Sequence, residues 1–297
     1  MLTNRSITKR NELIESSYRL SLNEARIVLY GLSLINPLSK QFPLEYKIDV
    51  KDFSDMFGID SHNIYNVIKE TVMGKFWDRE FTYQTEHEHN VRARWLISVE
   101  YADNEGYLKI FMNPKLQPFL HQLKGSFTTY QTSQISSFKS VYSIRFYEIS
   151  LMHLKKSKHN KHSFKIDVED IKKTLELSER YKRFCDFKRY VLDQAKKEIN
   201  KNSDIKLTYE VIKQGRTPRE IKFTITKKER EPGKTSCKKL STVTIEKAKD
   251  IVLKAGTGWD LYVIEQQFYD HSSKAGPPEN LEGAFLGFVK KKVAKKP

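Results

Sequence analysis

Two stretches 118 residues apart open with nearly the same six residues, IDVKDF at 48–53 and IDVEDI at 166–171, and each begins the same succession of patterns. The later copy is the clearer. Val168, Ile171 and Leu175 recur at helical spacing, and LSERYKR then breaks the period. Ser178 or Asp186 is the residue expected to cap a second helix. In that helix Phe184, Phe187, Val191, Ala195 and Ile199 fall on one face, with Lys182, Asp186, Arg189, Asp193 and Lys197 on the other. Two apolar runs follow, KLTYEVI and EIKFTIT, joined by KQGRTPR. Helix, turn, helix and hairpin in that order predict a winged helix-turn-helix, whose second helix suits a DNA major groove.

The earlier copy continues as SDMFGIDSHNIYNVIKETV, with Gly58 at the turn, and then EFTYQTE, which aligns with KLTYEVI. Upstream, Arg26-Ile-Val-Leu-Tyr30 has its counterpart in Arg145-Phe-Tyr-Glu-Ile149. Weak matches that keep their order and spacing are the mark of internal duplication. The expected fold class is therefore α+β, two tandem winged helix-turn-helix domains followed by a short helical C-terminal extension.

Residues 5–36 read as helical with a break near Ser21, ended by Asn36-Pro37. LEYKIDV reads as a short strand, RARWLISVEYADNEGYLKIFMN as a hairpin turned by ADNEG, and PKLQPFLHQL as a closing helix. The Ser/Thr-rich FTTYQTSQISSFKS follows, and after Lys228 the Pro/Gly/Lys-rich EREPGKTSCKKLST reads as a linker. These shifts place the first winged-helix domain at 1–125, a junction at 126–139, the second domain at 140–228, a linker at 229–243 and the helical extension at 244–297. In the extension Trp259, Tyr262, Phe285 and Phe288 read as a docking surface.

The net charge of +16 matters less than its placement. Residues 1–137 carry 16 Lys+Arg against 16 Asp+Glu, whereas residues 138–228 carry 24 against 12. An excess concentrated in the module with the basic second helix points to phosphates. The basic helix lacks a broad apolar face suited to a membrane surface, and the longest apolar run, Ile27–Ile35, is too short to span a bilayer. Two cysteines, Cys185 and Cys237, form no disulfide framework, and with no secretory signal at the N-terminus the expected location is cytoplasmic. In the first module the scattered cations Lys69, Lys75 and Arg79 each have an acid nearby in sequence, Glu70, Asp78 or Glu80.

Other sites read as bland. Gly233–Ser236 (GKTS) has Lys228 where a phosphate-binding loop needs glycine. His87-Glu88-His89 places a charged residue between the histidines where a rolling-circle nickase has an apolar one, and reads as a solvated loop tip. His153, His159 and His162 lie in a Lys/His loop with no cysteine pair at zinc-finger spacing, and Glu169/Asp170 lie on a polar helix face. No catalytic residue, cofactor or metal is expected.

Three stretches resemble the iteron-binding plasmid replication initiators, a double winged-helix family: NELIESSYRLSLNEARIVLYGLSLIN, IDVKDFSDMFGI, and ERYKRFCDFKRYVLDQAKKEIN with its hairpin. The resemblance covers about residues 5–228 and departs at Cys185, where the family's pattern more often has proline at the helix start. It implies that the second winged helix reads direct repeats at a plasmid origin. The first would touch neighbouring backbone and serve as a dimer interface, dimers repressing the initiator's own expression and monomers opening the origin. Carried over by position, Arg183, Asp186, Lys188 and Arg189 would contact bases and phosphates, Lys213, Arg216 and Arg219 on the wing would contact phosphates, and Lys182 on the polar face of the same helix is a further DNA-binding candidate. Lys69 and Lys75 are the auxiliary candidates of the first module.

The implied partners are double-stranded DNA, a second copy of the chain in equilibrium with monomer, and host helicase machinery. A transcriptional regulator without a replication role and a nickase are the rival readings. The charge distribution further predicts that residues 138–228 bind repeat DNA in isolation, whereas 1–137 bind poorly and self-associate.

Overall fold

The first described element is a strand, where the sequence pattern predicts a helix. The computed structural model describes residues 5–35, 42–60, 64–84, 89–101, 105–121, 126–157, 159–228, 240–254, 261–275 and 278–294. Strand β1 (Ser6–Arg10) is followed by a short helix α1 (Asn11–Glu15) and then α2 (Leu22–Ser33). β1 pairs antiparallel with residues 127–131, a tertiary partner that no local pattern announces. Ser21 and Glu24 close a reciprocal capping box at the start of α2. Ala25 and every residue from Ile27 to Leu32 are buried, so the apolar stretch of α2 is spent on the core of this chain.

The first winged helix follows. β2 (Glu45–Asp49) leads into α3 (Val50–Phe57), capped by Asp49, and Gly58 ends α3 at φ 60, a left-handed turn that glycine adopts without strain. α4 (Ile64–Met73) packs through Ile64, Ile68 and Val72. β3 (Glu80–Gln84) and β4 (Asn90–Arg94) form a hairpin of their own, and β5 (Leu96–Tyr101) pairs with β6 (Tyr107–Met112), which also pairs with β2. The expected hairpin from Arg92 is thus divided. Arg92–Arg94 belongs to β4, and buried Trp95 turns the chain into β5. α5 (Gln117–Leu120) ends the module.

Residues 126–139, read as a junction from their polarity, hold strand β7 (Phe127–Gln131), the partner of β1. The second module begins with α6 (Val141–Leu154), whose preceding N–H groups of Lys139 and Ser140 both donate to Glu198 Oε2 at 3.1 Å. β8 (Lys161–Asp167) and α7 (Val168–Thr174), capped by Asp167, follow, and Glu176 leaves the helix at φ 50. The second helix runs continuously from residue 184 to 202 as α8 (Phe184–Phe187), a π-helical turn (Lys188–Asp193) and α9 (Gln194–Asn202). Its start is Arg183, with no side-chain cap, and neither Ser178 nor Asp186 takes that role. Phe187, Val191, Ala195 and Ile199 are buried as their spacing requires. β9 (Ile205–Gln214) and β10 (Thr217–Lys227) form the wing, joined through Gly215 at φ 62.

The two sheets repeat one topology: β8-β10-β9 in the second module matches β2-β6-β5 in the first. KLTYEVI, in β9, therefore corresponds to β5, and the sequence likeness to EFTYQTE is misleading because β3 belongs to a separate hairpin. One hydrophobic core runs from Ile7 to Ile225 through both modules.

Residues beyond the linker make a separate core. α10 (Thr242–Lys254), α11 (Leu261–Ala275) and α12 (Leu281–Val293) pack around Ala248, Ile264, Phe268 and Phe285. Phe285 is fully buried against Phe268, ring centroids 5.2 Å apart, so it holds this bundle together and does not offer a docking surface. Phe288 is only partly buried against the same core. Trp259, the side chain of Tyr262 and the linker run with Gly233–Ser236 and Cys237 lie outside the described residues, as do His87 and Glu88. Among the described residues no helix is long and apolar enough to cross a membrane.

Separate cores predict separate unfolding. Truncation after Lys228 should leave the first unit melting in one cooperative transition, because its own core is complete without the tail. Calorimetry of both proteins checks this, and a first unit that no longer melts cooperatively would make the tail part of its core.

Candidate nucleic-acid interface

The helix at 184–202 turns its apolar side to the core and leaves Lys182, Arg183, Lys188, Arg189, Tyr190 and Lys197 exposed. Arg183, immediately before the first turn, grips Asp186 with two bonds, Nε at 2.8 Å and a terminal nitrogen at 3.1 Å. That fork holds the Asp186 carboxyl below the usual carboxylate range and raises the guanidinium. Cys185 is exposed between them, and the helix starts one residue earlier, at Phe184. Lys188 donates to Asp193 Oδ2 at 2.7 Å, and Asp193 also accepts a short bond from the Tyr209 hydroxyl on β9. Burial pushes the Asp193 carboxyl up, but the bonds from Lys188 and Tyr209 outweigh it and the net shift is downward. Burial and the same bond push the Tyr209 phenol well above its ordinary value.

On the wing the strands are longer than expected. Lys213 lies on β9, Arg216 in the tight turn and Arg219 on β10, where its Nε sits 3.2 Å from Asp167. The eight expected positions thus divide by physics. Arg183, Asp186, Lys188 and Arg219 are engaged in ion pairs. Lys182, Arg189, Lys213 and Arg216 are exposed, with no acidic partner within 4 Å among the described residues. Unengaged cations on a helix and its adjoining wing suit phosphate oxygens, and a guanidinium can also fork onto guanine.

The first module offers less. The Lys69 amino group lies 4.6 Å from the centre of the Tyr101 ring, and Lys75 is exposed after α4. Arg79 binds Glu24 at 3.0 Å and not the acids next to it, since Asp78 faces Arg94 at 3.4 Å and Glu80 pairs with Arg92. Sequence reasoning missed two aromatic residues beside the helix. Tyr190 is 51% exposed with the Arg189 guanidinium 5.3 Å from its ring centre, and Tyr209 reaches across from the wing. The only signal of Tyr190 was an aromatic in a basic run.

Comparison with known proteins places these modules. Residues 6–152 match the family model described as Initiator Replication protein, WH1, and residues 167–225 match Initiator Rep protein, WH2. A replication initiation protein of Escherichia coli is 27% identical over 220 residues, 71% of this chain and 66% of that relative, so the chain spans just under two thirds of its length. The PI protein of the same organism is 26% identical over 252 residues, covering 73% of this chain and 81% of the relative. A solved structure of the Pi initiator protein in complex with iteron DNA superposes with a TM-score of 0.65 at 23% identity, over 76% of this chain and 98% of that one, a likeness of fold.

Proposed function

The chain belongs to the initiator replication protein family, whose two winged-helix models together match well over half of it, and on that premise we propose that it is a plasmid replication initiator. Its second winged helix binds direct repeats at the origin as duplex DNA, without catalysis, and the bound protein promotes opening and recruits host replication machinery. The observation that carries this reading is the set of unengaged cations Lys182, Arg189, Lys213 and Arg216 on the helix and wing of the module with 24 basic against 12 acidic residues. One E. coli relative carries the name of replication initiation, and the Pi initiator solved with iteron DNA shares the fold. In this reading Arg183, Asp186, Lys188 and Arg219 complete the DNA-facing set, with Lys69 and Lys75 as auxiliary backbone contacts.

Self-association, and with it repression of the protein's own gene, belongs to the same proposal. α2 is buried, so a dimer would use the surface of the first module, where Ile97 and Tyr101 of edge strand β5 are 47% and 44% exposed.

Footprinting the full chain on the DNA that flanks its gene tests the reading. Protection of evenly spaced direct repeats beside an AT-rich stretch is expected, together with autonomous replication of a circle carrying that DNA. Protection without replication would leave a transcriptional regulator, and a covalent tyrosine–DNA adduct would make the protein a nickase.

A further inference from the structure

The π-helical turn at Lys188–Asp193 changes which side chains meet. Residues five apart on an α-helix point about 140° away from each other, at 3.6 residues per turn. An i→i+5 turn closes that angle, and such turns recur at functional sites. Here it brings Lys188 and Asp193 to 2.7 Å. Asp193 also receives the hydroxyl of Tyr209 from β9. The amino groups of Lys188 and Lys196 lie 5.9 and 5.7 Å from the centre of the Tyr209 ring. One carboxylate therefore ties the helix to the wing strand and holds a lysine that would otherwise be a free cation on the exposed side.

We propose that Asp193 and Tyr209 are positioning residues for sequence discrimination: they fix the helix against the wing and keep Lys188 from gripping phosphates indiscriminately. This rests on the reading of the second module as the DNA-contacting one. Electrostatic contacts to phosphate strengthen binding to any duplex, so a cation withheld from them lowers the background against which base contacts are read. A fixed angle between helix and wing makes those base contacts depend on one register of groove and backbone.

The experiment uses the full chain, a duplex enriched by the unmodified protein from a randomised pool, and a random duplex of the same length. Asp193→Asn keeps the shape of the side chain and releases Lys188. Its affinity for the random duplex should rise about fivefold at 0.15 M salt, with a log–log salt slope steeper by about 0.9. Its preference for the enriched duplex should fall about tenfold, the weight of a hydrogen bond to a charged group. Tyr209→Phe removes one hydroxyl and no charge, so its preference should fall while its salt slope stays unchanged. A preference within twofold of the unmodified protein in either variant, or an unaltered slope for Asp193→Asn, overturns the inference. Failure of the unmodified chain to enrich any duplex would instead remove the DNA-binding reading and this inference with it.

Discussion

Glu148→Ala should destabilise the unit formed by residues 5–228 by about 3–5 kcal/mol, the cost of leaving one member of a buried ion pair alone. Glu148 lies on α6 with its side chain fully buried, and Lys9 on β1 approaches it to 2.7 Å with only 3% of its own side chain exposed. The Tyr130 hydroxyl on β7 donates to the same carboxylate oxygen. One carboxylate thus joins the N-terminal strand, the strand of the expected junction and the first helix of the second module. Arg145, one turn earlier on α6, adds a bond to the Ser16 carbonyl at 2.9 Å and lies over the Tyr18 ring at 3.8 Å. Without Glu148 the ammonium of Lys9 stays buried without its carboxylate, so the loss should appear as a fall in melting temperature of roughly 6–20 °C. The double variant Lys9→Met with Glu148→Gln removes both charges and keeps an acceptor for Tyr130, and it should recover half or more of the loss. Denaturant titration of both proteins decides the matter; a loss under about 1 kcal/mol for Glu148→Ala would mean that the pair is hydrated.

The same contacts bear on fragments. A fragment starting at residue 138 keeps Glu148 and Arg145 but lacks Lys9, Ser16 and Tyr130. Charge placement predicts that such a fragment binds DNA by itself, and these contacts predict that it is too unstable to do so well. Roles of the two modules are better separated by substitution in the whole chain.

Replacing Lys182, Arg189, Lys213 and Arg216 together by alanine should lower affinity for random duplex DNA on the order of a thousandfold at 0.15 M salt. The estimate takes one phosphate per cation, a log–log slope of roughly −0.9 each on duplex DNA, and a total slope shallower by about 3.6. All four are exposed and have no acidic partner among the described residues, so their removal breaks no ion pair there and loses only the contact of Arg189 with the Tyr190 ring. Arg189→Ala alone should cost about 1–3 kcal/mol on the preferred repeat and less on random sequence if its guanidinium reads a base. Arg183 makes the useful contrast. Its fork is already closed on Asp186, so base reading by Arg183 requires that pair to open. Salt titrations of the quadruple variant settle the assignment, and a slope unchanged within error would place the phosphate contacts elsewhere, with Lys69 and Lys75 next to be tested.

Much of this architecture is a local matter, and local matters are legible. The buried stripe Phe187, Val191, Ala195 and Ile199 follows from helical period, the turn at Gly58 from the freedom of glycine at positive φ, and the two modules from a repeat of 118 residues whose parts keep their order. The concentration of charge in residues 138–228 is a sum over the sequence and needs no coordinates. What the tertiary structure decided are the pairings made across long separations. Ser6–Arg10 is a strand because residues 127–131 lie beside it, and a helical reading of 5–36 had no means of anticipating that partner. Phe285 looked like docking surface because a sequence does not say which aromatic finds a core of its own. Which cations are free was hidden in part. Arg183–Asp186 is an i,i+3 pair that helical spacing already allows, whereas Lys188 reaches Asp193 only through the π-helical turn and Arg219 reaches Asp167 only across the folded sheet. Spacing sets which face a side chain occupies, but its charge is available to a ligand only if no folded neighbour has already neutralised it.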